Sequence, residues 1–521
     1  MDIAHIKKQK TAILNRHNYK VKQKGRENNM QYGILVGTVL LEIIIIGGVS
    51  LALRIRNKHA GADDFITSGR NLPMIAVAAT QALTCIGGGH ILGMPGASWS
   101  FGMGAFWFII ANVASLILVM CFTGPWVRRF RFSTVSQMFE HMFDKKTSIL
   151  MAGLSVGALW GVMTLEIQGV GTVISSLSGW NVAFGCIIGG VIALLYVIFG
   201  GMKEVGWVNV FNAIFMYVGI FLALAFLGAR LPNGWAGVNE FYISSGDGWM
   251  LNVLANGNTW RVYIIGTFLA AIFFNPISAS CCQASASAKS ISGLRKAIIV
   301  AAPLNCVFGA CMIALGMAAK SVPEFAAIGV PPIATFIMLI NLLPGWLVAW
   351  LCAAFAAAML STIALQVLAL STIFIEDVFV KYHKTEATDK QKLKYVRITV
   401  TLCLVAATIL STALPPVESA IVWLFAWLLP AFWLFVFGMY WKRSPNAAFL
   451  TFIISGIMNM IWTFSPLPEL VRLDGNNNSI GMIIVSFVVC LILTALDKNA
   501  KSGFFKVYKE DKNQFILKDA T

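Results

Sequence analysis

Ser361 and Thr362 stand together in an otherwise apolar run, with Ala358 three and four residues before them. On a helix that spacing puts all three positions on one face. Two hydroxyl oxygens and a backbone carbonyl can then point at one ion, and oxygen donors of this kind suit a hard cation such as sodium. The plainer use of such hydroxyls is to bond back to their own helix or to a neighbouring one. A second group of residues breaks helices. The apolar stretch 73–93 holds Gly87-Gly88-Gly89, followed by Pro95, and the stretch 258–279 holds Asn275-Pro276. Glycine weakens a helix and lets backbone approach a ligand. Proline removes an N–H and clashes with the preceding turn. Each break alone is ordinary in a membrane helix, where glycine mostly serves close packing. Two breaks at matching places in two halves point to an inverted-repeat transporter with its site near the bilayer midplane.

Ionisable and polar groups lie near these breaks. Glu166 sits deep in the apolar stretch 147–177. A carboxylate there is expensive and functional by default. It meets a solute ammonium, or it pairs with Gln168 or a histidine. If it faces the cavity, it favours an amine or zwitterion over a simple anion. His90 follows Ile86 by one helical turn, and a neutral imidazole both donates and accepts; it contacts solute or is satisfied by a neighbouring helix. Trp107 and Phe106 are candidates to wall a cavity, with aromatic packing as the competing role, and Asn275 can offer its amide at the second break.

These residues need a membrane scaffold to position them. Of 521 residues, 58% are hydrophobic and 12% charged, about half the charged share of a soluble domain. Apolar segments recur at 32–54, 73–93, 102–122, 147–177, 181–200, 206–230, 258–279, 296–320, 345–380, 394–414, 419–441, 446–466 and 478–497. Each is long enough to span as a helix, giving an all-α integral membrane protein of about thirteen transmembrane helices. The segment 345–380 would run about 54 Å, so its charged end, Glu376 and Asp377, is expected to project into water. Most of the ten cysteines lie inside apolar runs and no CxxC pair occurs. Packing, not disulfides or zinc, is their expected role. No metal beyond a transported sodium, no cofactor and no nucleic acid is indicated; the sequence leaves protein partners open, and lipid is the surroundings.

The formal charge of +16 is placed in loops. Basic stretches at 54–70, 123–146, 280–296, 381–397 and 441–445, and the tail after 497, fall on one side. The opposite side carries 231–257 and 467–477, poor in Lys and Arg. The basic side is cytoplasmic by the positive-inside rule, with the C-terminus there and the protein in the inner (plasma) membrane. Residues 1–30 conflict with an odd span count, since they carry eight Lys or Arg against Asp2 and Glu27. The tail is inside and the count is off by one, or it is outside and overruled by later loops, or translation begins at Met30. The third reading is the expectation adopted. The organisation expected is a basic segment 1–30 that this reading leaves untranslated in the native protein, a single transporter domain 31–497 and a cytoplasmic tail 498–521.

Three stretches resemble one family. Ile91-Leu92-Gly93-Met94-Pro95-Gly96-Ala97 resembles the first core helix of the sodium/solute symporters, which include proline, pantothenate, sialic acid and glucose cotransporters. Phe199-Gly200-Gly201-Met202-Lys203-Glu204-Val205-Gly206-Trp207 resembles their signature, and Ala358-Met359-Leu360-Ser361-Thr362, continuing to Gln366 and Glu376-Asp377, their eighth core helix. The resemblance covers about residues 33–465. It implies a LeuT-type fold of two inverted five-helix repeats with flanking helices, the repeats near 73–230 and 258–441. It also implies sodium-coupled symport of an amino acid, amine or monocarboxylate by alternating access. The sodium positions it implies are Leu83, Ile86, Ala358, Ser361 and Thr362, with the Leu83 and Ile86 carbonyls freed by unwinding from Gly87 and His90. Solute-binding candidates are His90, Glu166, Trp107 and Asn275. The sequence departs from the family at Asn209, where many members carry an aspartate for a second sodium, so one sodium per solute is expected. Proton coupling stays open. A membrane sensor is disfavoured, because about 24 residues follow the last span. The motifs argue against a passive channel, and no motif supports an enzyme.

Overall fold

A computed structural model describes residues 61–198, 201–383, 388–413, 420–471 and 478–510, with scattered helical positions between 33 and 48. The expected tail 1–30, most of the expected span 32–54 and residues Phe199 and Gly200 lie outside the described residues. Among those described, ten helices are long and apolar enough to cross a membrane. The longest, Gly89–Arg129, has 41 residues, twice the length a bilayer needs. It is divided at Gly102, whose positive φ of 54° ends the helix. A Cβ there would lie 2.3 Å from the Met250 carbonyl oxygen, so glycine serves both the turn and the close approach.

Five helices build each half. In the first, α1 (Met74–Cys85) and α2 (Met94–Phe101) are the two parts of one broken helix, followed by α3 (Phe106–Leu118), α4 (Lys145–Ser178), α5 (Val182–Ile198) and α6 (Gly201–Arg230). In the second, α7 (Ile265–Phe274) and α8 (Ala279–Ser287) are the broken pair. They are followed by α9 (Ile291–Ser321), α10 (Gly345–Ile373), α11 (Asp389–Ala413), and α12 (Ala420–Ala426) with α13 (Leu429–Tyr440). Two flanking helices follow, α14 (Pro445–Phe464) and α15 (Asn478–Leu496). Packing relates the halves by exchange. The third helices α4 and α10 pack on each other, as do the fourth helices α5 and α11. α3 packs on α7 while α9 packs on α1, and α6 packs on α10 while α12 packs on α4. Every such contact maps onto its counterpart when the halves are swapped. That is the arrangement of an inverted repeat in a LeuT-type fold.

Local chemistry starts and stops these helices. Asp144 accepts from the Thr147 N–H and caps α4, whose end is closed by Gly179 with φ 70°; Ser290 caps α9 through the Gly293 N–H. α10 is the central column, because every residue from Leu351 to Ile373 is buried. An apolar helix buried all round needs no polar face. By contrast α5 and α6 expose Ile187, Val191, Leu195, Phe211, Ile214 and Phe221, a surface that lipid covers.

Several boundaries and placements correct the sequence reading. The first broken helix continues to Phe101, not 93, so its break lies mid-length. The second continues through a new turn to Ser287. The helix expected over 419–441 is interrupted at Trp427-Leu428, and the inter-span stretches 231–257 and 321–344 contain helices Gly234–Ser244 and Pro331–Leu342. Asp377 does not project into water. It is 7% exposed, and it accepts hydrogen bonds from Thr134 at 3.2 Å and from Ser136. A helix extending past the bilayer can thus be received by a neighbouring helical segment, here Val135–Met142, before it meets solvent.

The basic stretches do gather on one face. Lys381 pairs with Glu140, Arg70 donates to Ser133 at 3.0 Å, and Lys442–Arg443 form a short antiparallel ladder with Lys501–Ser502. Arg128 donates to the carbonyls of Ala288 at 2.6 Å and Lys289 at 2.9 Å. There the Leu72 N–H donates to Ser287, and the Lys289 N–H to Leu72. The outer ends of both broken helices are therefore tied together on this face.

Small residues set the closest approaches. A Cβ on Gly185 of α5 would lie 2.5 Å from the Gly171 carbonyl oxygen of α4, a backbone atom that cannot turn aside. Overpacking of this kind costs about 1–3 kcal/mol. Gly185→Ala is expected to lower the apparent Tm in detergent by several degrees. Gly153→Ala, where nothing lies within 4 Å, should leave it unchanged or higher; equal Tm values for the two variants would contradict this packing.

Candidate functional site

The first break begins where α1 ends. Ile86 leaves helical geometry (φ −100°, ψ 68°), and its N–H donates to the Leu83 carbonyl at 3.1 Å. The His90 and Ile91 N–H groups both turn to the Gly87 carbonyl, at 2.9 and 3.1 Å. Unwinding therefore releases the Ile86 carbonyl from His90, as expected. The Leu83 carbonyl, expected to be freed, is instead held by Ile86 and by a side chain from α10. Thr362 donates its hydroxyl to Leu83 O and to Ala358 O, both at 3.2 Å, and Ser361 donates to Ala358 O at 2.8 Å. Ala358, Ser361 and Thr362 are buried. Leu83, Ala358, Ser361 and Thr362 thus form one oxygen cluster bridging α1 and α10, with Ile86 one turn away. Each hydroxyl oxygen keeps acceptor lone pairs after donating, so the cluster has the donor chemistry a sodium ion takes as cargo.

The other side of the break is held by α4. Glu166, 2% exposed, accepts from the Gly88 N–H at 2.7 Å. Among the described residues it pairs neither with a histidine nor with Gln168, which donates to the Ser411 carbonyl at 3.1 Å. The carboxylate lies against the glycines themselves. A Cβ on Gly87 would sit 2.2 Å from Glu166 Oε1, and one on Gly88 3.4 Å from Oε2. The glycines thus do more than loosen the helix; they make the space that the carboxylate fills. Gly88 also precedes the helical run 89–101, whose first N–H groups favour negative charge.

A cavity of about 30 Å³ opens between the two breaks, room for about two water molecules. It brings together His90, Glu166, Asn275 and Thr362, four of the positions singled out from the sequence. His90 is 1% exposed, and its ring lies 5.6 Å from that of Phe108. Asn305 of α9 lies beside it, yet neither ring nitrogen nor either amide atom of Asn305 meets a partner in hydrogen-bond geometry among the described residues. Asn275 donates to Ser115 at 2.6 Å and to Asn112 at 3.3 Å, tying the second break to α3. Its amide nitrogen is committed to structure. Trp107 does not line this cavity. Its indole N–H donates to Val253 O at 3.0 Å, and its ring packs on Trp260 and Phe268. The aromatic wall comes from Phe108, Phe274 and Phe425, the last two stacked at 3.8 Å.

The sequence reading passed over Asn112, Asn305 and Gln366 as site residues. Gln366 lines the cavity, and its Oε1 is buried without a partner among the described residues. Polar amides inside apolar runs were the available signal. Asn209 accepts from the Tyr196 hydroxyl at 3.1 Å and donates to Thr80 at 3.4 Å.

A family model described as the sodium:solute symporter family matches residues 65–456. The sodium/glucose cotransporter of Vibrio parahaemolyticus is 24% identical over 477 residues, covering 84% of this chain and 87% of the relative. The sodium/pantothenate symporter of Escherichia coli is 24% identical over 451 residues, covering 82% and 90%. The sodium/proline symporter of Staphylococcus aureus is 23% identical over 505 residues, covering 92% and 94%. Among solved structures, the substrate-bound outward-open state of a Na+-coupled sialic acid symporter superposes with a TM-score of 0.76 at 17% identity, covering 91% of this chain and 99% of that chain.

The Glu166 seat yields a prediction. Gly87→Ala places a methyl group where the carboxylate lies and should lower the initial rate of sodium-driven uptake in proteoliposomes by about tenfold or more, the scale of a lost charge-assisted hydrogen bond. Gly88→Ala, with a 3.4 Å approach, should be much milder. Equal effects of the two would show that the carboxylate does not depend on this space.

Proposed function

Because the chain belongs to the sodium:solute symporter family, we propose that sodium binds where α10 braces the first break, at Leu83, Ile86, Ala358, Ser361 and Thr362, while the solute binds in the adjoining cavity with His90 and Glu166. The protein is a multi-pass membrane transporter that uses the sodium gradient to drive symport of a small organic solute. The observation that carries the site assignment is the Thr362 hydroxyl bonded across the break to the Leu83 carbonyl at 3.2 Å, since one residue touches both the oxygen cluster and the cavity.

A cavity of about 30 Å³ is too small for an amino acid or a sugar. Solute entry therefore requires the broken helices to part, and alternating access about the two breaks supplies that movement. The Arg128 clamp and the Leu72–Ala288 bridge hold the basic face closed and must separate for release there. That face is cytoplasmic on this reading, the membrane is the plasma membrane, residues 31–497 form the transporter domain, and 498–521 form a cytoplasmic tail. Asn275 acts at the second break by positioning α3, and Trp107 by anchoring the far end of the bundle.

Ser361→Ala combined with Thr362→Ala should raise the sodium concentration for half-maximal uptake by about tenfold or more, as loss of ligand oxygens does at metal sites. Uptake that follows a proton gradient and survives the double substitution would sink the assignment. Asn209, engaged by Tyr196 and Thr80, supports a single coupling ion. Uptake should then depend on sodium with a Hill coefficient of about one, and a coefficient near two in wild type would overturn that count.

A further inference from the structure

In transporters with discontinuous helices, the exposed N–H groups of the half-helix commonly receive an anionic group of the solute. Here that place is taken. Glu166 reaches from α4 to the Gly88 N–H at 2.7 Å, and its carboxylate fills the volume left by Gly87, where even a methyl group would come within 2.2 Å. A solute carboxylate brought to the same N–H groups would find Gly88 already bonded and its own place filled by the Glu166 carboxyl oxygens, whose lone pairs repel an anion at close range.

The rest of the cavity has a matching bias. Among the described residues no Lys or Arg lines it, so these side chains supply no fixed positive charge beside Glu166, and His90 and Cys85 are the other titratable groups. Gln366 presents a carbonyl oxygen without a partner among the described residues, 97% buried by its 3% exposure. His90 brings two ring nitrogens that meet no partner in hydrogen-bond geometry among the described residues. The remaining wall includes the faces and edges of Phe108, Phe274 and Phe425, surfaces that attract a cation. A buried carboxyl, further acceptors and aromatic rings favour a solute that donates hydrogen bonds and carries positive charge, and such a cation would in turn hold Glu166 ionised.

We infer that Glu166 occupies, as a built-in carboxylate, the seat that a solute carboxylate would otherwise take, so that the site accepts a small organic amine without a carboxyl group. The inference rests on the cavity being the solute site, as proposed above, and it extends that reading to the chemical class of the solute. Glu166 would serve as the counter-ion of the ammonium, with Gln366 accepting a second N–H. His90 is left to a polar group at the other end of the solute.

The test uses matched pairs differing by one carboxyl group: serine and ethanolamine, phenylalanine and phenethylamine, and ornithine and putrescine. Each is added to the full-length purified protein, and stabilisation against thermal unfolding is measured with and without sodium. At least one amine should stabilise the wild type while its carboxyl-bearing partner does not. Glu166→Gln keeps an acceptor for Gly88 but removes the charge, and it should weaken the amine by roughly 30-fold or more, the scale of a broken buried charge pair. Binding of the carboxyl-bearing members in preference, equal amine binding by Glu166→Gln, or no binding by any amine overturns the inference. Amine binding that is indifferent to sodium, with uptake equally indifferent, would instead count against sodium coupling and leave the solute class standing. The two failures are therefore separable, and the wild-type comparison holds even if the variant does not fold.

Discussion

A helix that unwinds inside a membrane must find partners for the backbone groups it releases, because hydrocarbon offers none. At the first break the Ile86 N–H folds back to Leu83, those of His90 and Ile91 share the Gly87 carbonyl, and that of Gly88 has only a side chain to turn to, Glu166. At the second break the Ser278 N–H closes on Asn275 O, while the Asn275 side chain is pinned by Ser115 and Asn112. An unpaired buried backbone group costs about 1–3 kcal/mol, so each partner is required wherever the chain departs from helix. The neighbouring helices are arranged to supply them.

That requirement gives the internal symmetry its use. The third helices α4 and α10 pack on each other, and both reach the same break, α4 with Glu166 to Gly88 and α10 with Thr362 to Leu83. One break is thus gripped from two sides by symmetry-related elements carrying different chemistry, a carboxylate on one and hydroxyls on the other. The second break is held by α3. Gln81 of α1 ties the two broken helices directly, donating to Cys281 O and Ser285 at 3.2 Å. Symmetry supplies the scaffold, and the departures from it make the site.

How much of this was legible in sequence depends on the range of the interaction. Spans, their glycines and prolines, and the Ser361-Thr362 face follow from local composition and helical periodicity, which one chain displays directly. The gathering of basic stretches on one face follows from the same alternation of spans. What escaped was the identity of partners. Nothing near Glu166 in sequence says that it bonds Gly88, 78 residues away. Trp107 looked like a cavity wall because its helix does contribute one, but rotation about the helix axis puts Phe108 and Asn112 inward and Trp107 against Val253. Asp377 was expected in water because its helix is longer than a bilayer, yet Thr134 and Ser136 receive it. Boundaries at 93 and 279 failed because glycine and proline mark a break but not whether helix resumes beyond it.

On the proposed assignment, sodium and solute are coupled with little distance between them. The sodium positions include Leu83 and Ile86, and the solute's counter-ion is fixed to Gly88, so both ligands bear on one stretch of six residues. An ion that draws the Leu83 carbonyl toward Thr362 restrains the backbone on which Glu166 depends. Equally, a solute that pulls on Glu166 acts through Gly88 on the ion's carbonyls. By linkage each must favour the other to the same degree. No long relay is needed for that coupling, because both ligands act on one unwound segment that the two third helices hold from both sides.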